Sequence, residues 1–210
     1  FTYCYATLDA DTREYAGYPD GIPAGTTIGA FLGRQTRHFA ADLGFDYLWL
    51  SNGFGFGTET WVGRGAIFDA QRFMPEKAAE VRSRLLSFWQ DFRRECPHLP
   101  LEVRGTNQST GVDIASDALP LAEIYRGKFN LVAPPNSPWA AINGDFGLEL
   151  AGWMSHIAEL PDPGRGYPFR FYTHDPWWLN SPWLDRYERQ PHDIYLPLAV
   201  SRIDTRGEIE

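Results

Sequence analysis

Short apolar runs alternate with longer amphipathic stretches along this chain. Five runs are too short for a helix and rich in aromatic or β-branched residues: 1–8, 47–51, 101–104, 129–133 and 169–173. They are predicted to be β-strands. Between them the hydrophobic period changes to that of a helix. Over 75–95, Ala78, Val81, Leu85, Phe88 and Phe92 recur on one face, while Arg82, Arg84, Gln90, Asp91 and Arg94 mostly fall elsewhere. Pro75 suits the first turn of that helix and Pro97 follows its end. A second helix is predicted over 27–43, with Ile28, Phe31, Leu32, Phe39 and Leu43 as its stripe and Gly44 as its stop. Weaker helical patterns cover 119–125 and 147–160.

Alternation of strand and helix predicts an α/β fold with a parallel sheet and crossover helices. The connections are uneven. Helix-to-strand joins are short (Gly44, 97–100, 127–128), with 161–168 the longer exception, whereas strand-to-helix joins are long (9–26, 52–74, 105–118, 134–145). Long loops after the C-terminal ends of strands are how a (β/α)8 TIM barrel builds its active site. Five β/α units fall short of the eight in such a barrel, which typically takes about 250 residues. The expectation is therefore an incomplete TIM-barrel-like domain spanning 1–210. An open doubly wound parallel sheet is the alternative. Its phosphate-binding turn is not evident: Gly53, Gly55 and Gly57 lack the GxGxxG spacing and stand far from the next helix.

Composition sharpens this modestly. Net charge is -8 over 210 residues, which argues against nucleic acid and anionic membrane as partners. No apolar run approaches the roughly 20 residues that span a bilayer. The chain opens on Phe1 rather than Met, as if inside a strand, and a fragment of a longer protein is expected, any targeting segment being lost. Cys4 and Cys96 stand far apart without a CxxC or Cys/His cluster, and read as two free buried thiols. The 8 Trp are many for this length, and most lie in the predicted loops.

Those loops hold the candidate chemistry. After the second strand come Asn52, the glycine-rich stretch 53–57, Glu59 and Trp61. Glu59 is a candidate acid, base or nucleophile, and Trp61 a platform for a sugar ring. The third strand places Glu102 and Arg104 on one face by parity, either barrel interior or helix layer. Arg104 at the strand end could clamp a hydroxyl or carboxylate. Asn107, with donor and acceptor together, suits a sugar hydroxyl, and Asp113 follows on the same loop. Prolines stiffen the loop that carries Asn136 and Trp139, while Asp145 reads as the cap of the next helix. The fifth strand runs into His174, Asp175, Trp177, Trp178 and Trp183, three indoles within seven residues. His and Asp at a strand end suit proton transfer, and so much aromatic surface either packs under other loops or stacks on a ligand. Tyr15, Tyr18 and Asp20 in the first loop are further candidate contacts. Asp9, Asp11 and Glu14 lack a cation-loop continuation and read as a solvated turn. No Ser-His-Asp triad or GxSxG elbow is legible. No metal or other cofactor is called for.

In architecture and in the loops 52–61, 104–107, 136–139 and 174–183, the chain resembles the barrel domain of glycoside hydrolases and related carbohydrate-active enzymes. The resemblance covers essentially all 210 residues. It implies a carbohydrate substrate and two strand-end carboxylates, one acid and one nucleophile or base. Glu59 and Asp175 are the positional candidates. Two other readings stand beside it: a metal-dependent sugar isomerase or epimerase, needing His174, Asp175 and a further carboxylate around an ion, and a carbohydrate-binding barrel without catalysis.

Overall fold

A computed structural model describes residues 2–50, 58–59, 67, 69, 71–103, 118–127 and 129–132. Its elements are β1 (Thr2–Tyr3), β2 (Thr7–Leu8), β3 (Thr26–Thr27), α1 (Ile28–Leu43), β4 (Leu48–Leu50), β5 (Thr58–Glu59), a 3-10 turn (Pro75–Lys77), α2 (Ala78–Glu95), β6 (Leu101–Val103) and α3 (Leu121–Arg126). The predicted strand at 169–173 and helix at 147–160 lie outside the described residues.

The two long helices form where the hydrophobic period placed them. Thr27 caps α1, its hydroxyl accepting from the Ala30 amide at 3.2 Å. Gly44 ends the helix in the left-handed conformation, at φ 73°, and its amide returns to the Ala40 carbonyl. Pro75 opens the 3-10 turn that leads into α2.

The buried side of α1 differs from the expected stripe. Gly29, Gly33, Thr36 and Ala40 are buried beside Ile28, whereas Leu43 is 66% exposed. Small residues lie inside because α2 approaches at backbone distance. A Cβ at Gly29 would stand 2.5 Å from the Phe88 carbonyl oxygen, and one at Gly33 2.5 Å from that of Phe92. Contacts advance together along both helices, from 29–88 to 33–92, so α1 and α2 run parallel. The Thr27 hydroxyl donates to Asp91 at 2.7 Å and Arg34 donates to Glu95 at 3.1 Å along the same seam. Parallel neighbouring helices are what successive β/α units produce.

The parallel pairing is real but short. Strands β4 and β6 pair in parallel, Leu48 opposite Leu101 and Leu50 opposite Val103, and Leu101 forms a further parallel bridge with Leu131. The spatial order β4, β6, Leu131 follows the chain, with α2 and α3 in the intervening connections. Leu101, Val103 and, in part, Leu48, Leu50 and Leu131 pack against the helices around Val81, Leu85, Phe88, Trp89, Phe92, Ile124 and Phe129. Trp89 is fully buried, with Phe88, Phe92 and Phe129 rings 5.0, 6.0 and 6.4 Å from its own.

The first predicted strand is two strands. The Ala6 amide donates to the Tyr3 carbonyl at 3.0 Å and turns the chain at Cys4-Tyr5. Each two-residue piece then finds an antiparallel partner, β1 with β5 and β2 with β3. The long first loop is also regular. It continues the β2–β3 ladder through Asp11–Ile22 and Tyr15–Tyr18 bridges and forms a hairpin.

Candidate functional site

The sequence-predicted site residues lie almost entirely outside the described residues. This holds for Asn52, Trp61, Arg104, Asn107, Asp113, Asn136, Trp139, His174, Asp175, Trp177, Trp178 and Trp183. Glu59 is described in its backbone alone. It sits in β5, register partner of Thr2, so the segment after β4 folds back along the start of the chain as a strand rather than a loop at that point.

Leu101 and Val103 are fully buried toward the helices, and Glu102 between them therefore faces the opposite side of the sheet. Trp49, its partner in register on β4, faces the same way and is 49% exposed. The Tyr47 hydroxyl, one alternation earlier, donates to Glu102 Oε2 at 2.5 Å. Val132, 37% exposed, continues this face beyond Leu131. The sheet thus has an apolar face under the helices and a mixed aromatic and acidic face away from them. Sequence parity paired Glu102 with Arg104 but left out Trp49 and Tyr47, although both alternate with Leu48 and Leu50.

The tyrosines of the first loop pack against α1. Tyr18 is buried, its ring stacked 5.7 Å from Phe31 of α1 and covered by the Arg34 guanidinium at 4.6 Å. Burial pushes the Tyr18 phenol up. Tyr15 meets Phe31 edge-on at 5.9 Å, and the Gln35 side chain accepts from the Gly17 amide. Asp20 is exposed.

Asp11 is engaged inside the hairpin. It accepts from the Arg13 side chain and amide and from the Tyr15 hydroxyl at 2.7 Å. The Arg13 guanidinium holds the Asp11 carboxyl well below the usual carboxylate range, and the Tyr15 phenol is raised by the same carboxylate. A depressed folded-state value stabilises the hairpin above the unfolded carboxylate value near 3.8, and that contribution fades as pH falls toward the folded value. Carbon-detected NMR titration is expected to show Asp11 ionised well below pH 3.8. Arg13→Ala is expected to move its midpoint upward, and an unmoved midpoint would remove Arg13 as the cause.

Among the described residues, no group of three or more His, Cys, Asp or Glu side chains is placed to hold a metal. No described helix is long and apolar enough to cross a membrane. Cys4 and Cys96 are both buried, and burial pushes the Cys96 thiol up.

One buried cation escaped the sequence reading. Arg93 of α2 is 8% exposed and spends its guanidinium on backbone carbonyls: Phe129 at 2.5 Å, Cys96 at 2.9 Å, Leu99 at 2.7 Å and Asn130 at 3.4 Å. Asn130, at φ 52°, also donates from its side chain to the His98 carbonyl, and its own carbonyl accepts from Leu101. Arg93 therefore ties together the entries to β6 and to the strand position at Leu131. These are the N-terminal ends of the parallel strands, opposite the ends where a β/α fold builds its chemistry. Its signal in the sequence is an arginine at i+4 from Trp89, beside Phe92 and three before Cys96, on a stripe that is otherwise apolar.

In comparisons with known proteins, no family model, no curated protein and no solved structure matches the chain significantly.

Proposed function

We propose that this chain belongs to the barrel domain of a carbohydrate-active enzyme that cleaves or transfers a glycosidic bond. The observation that supports it most is the parallel order β4, β6, Leu131, which follows the chain with helices between. Segments following the C-terminal ends of β4 and β6 carry Asn52, Glu59, Trp61, Arg104, Asn107 and Asp113. In a (β/α) barrel such segments surround the substrate. Glu59 and Asp175 act as the carboxylate pair, one protonating the leaving oxygen and the other attacking or activating water. Trp61, Trp139, Trp177, Trp178 and Trp183 supply flat apolar faces for sugar rings. Asn52, Arg104, Asn107, Asn136 and His174 bond hydroxyls.

Glu59→Gln and Asp175→Asn, made separately, test this against a panel of aryl glycosides and oligosaccharides. The native chain is expected to turn over at least one member. Each variant is expected to lose about a hundredfold or more in kcat/KM, the scale of a lost acid–base or nucleophilic group. Native activity in both variants would overturn the two assignments. Sugar binding with no turnover by the native chain would point to a non-catalytic carbohydrate-binding barrel. Turnover of free sugars abolished by a chelator would point to a metal-dependent isomerase.

A further inference from the structure

We draw no further inference here: the strongest candidate, the exposed apolar patch that Leu43 and Phe45 form with the edge of the Phe39 ring at the C-terminal end of α1, carries nothing, because nothing in the structure shows what covers it.

Discussion

Replacing Arg93 by alanine is expected to lower the stability of the fold by about 3 kcal/mol, the scale of stranding buried carbonyls that shared a charged donor. Four backbone oxygens, of Cys96, Leu99, Phe129 and Asn130, converge on this guanidinium at 2.5 to 3.4 Å. The Asn130 carbonyl keeps the bond it accepts from the Leu101 amide, whereas those of Cys96, Leu99 and Phe129 lie outside regular secondary structure, where no ladder stands ready to replace the lost donor. Burial pulls Arg93 down to about 10, which leaves it charged throughout the neutral range. The clamp is accordingly expected to hold steady from about pH 5 to pH 9. Arg93→Lys keeps the charge but loses the planar fork, and is expected to cost about half as much. Arg93→Met restores volume but no donors, and is expected to behave like alanine. Urea denaturation followed by circular dichroism orders the series. A methionine variant as stable as the native chain would show that these carbonyls find other partners. Because the clamp sits at the N-terminal ends of the strands, sugar binding by the folded fraction should be unchanged.

The reach of sequence reasoning here follows from which forces act locally. Helices α1 and α2 were legible because their apolar period, the Thr27 cap, the Gly44 stop and Pro75 all act within a few residues. Alternation of strand and helix led to the expectation of parallel strands, and β4 and β6 pair in parallel. Three features depend on tertiary contact and were not legible in that way. Gly29 and Gly33 read as gaps in an apolar stripe, and only the nearness of α2 makes them its centre. Arg93 reads as a polar interruption until four distant carbonyls surround it. The run 1–8 has strand composition throughout, yet Tyr3 and Ala6 close a turn and divide it between two partners. The site shows the same limit. Residue type and position nominated loop carboxylates and indoles. The face shared by Tyr47, Trp49 and Glu102 required the register of two strands distant in sequence.

Gly33→Ala is expected to destabilise the fold by about 2 kcal/mol, against the trend of intrinsic helix propensity. In an isolated helix the same change would stabilise by about 1 kcal/mol, because alanine loses less backbone entropy on ordering. Packing reverses the sign. The new Cβ would stand 2.5 Å from the Phe92 carbonyl oxygen, 2.9 Å from Glu95 Cβ and 3.1 Å from Phe92 Cα, where backbone has no rotamer to yield. Relief requires α1 and α2 to separate, and overpacking of this kind costs about 1–3 kcal/mol. Separation would also stretch the Thr27–Asp91 and Arg34–Glu95 bonds along the same seam. Gly29→Ala meets the Phe88 carbonyl oxygen at the same 2.5 Å and is expected to cost a similar amount. The two sites lie one helical turn apart, so the first substitution opens the space that the second needs. The double variant is therefore expected to lose less than the sum of the singles, by about 1 kcal/mol. Chemical denaturation of both singles and the double measures that coupling. Stabilisation of either single variant would mean that helix propensity governs this seam and that the close approach of α2 to α1 is wrong.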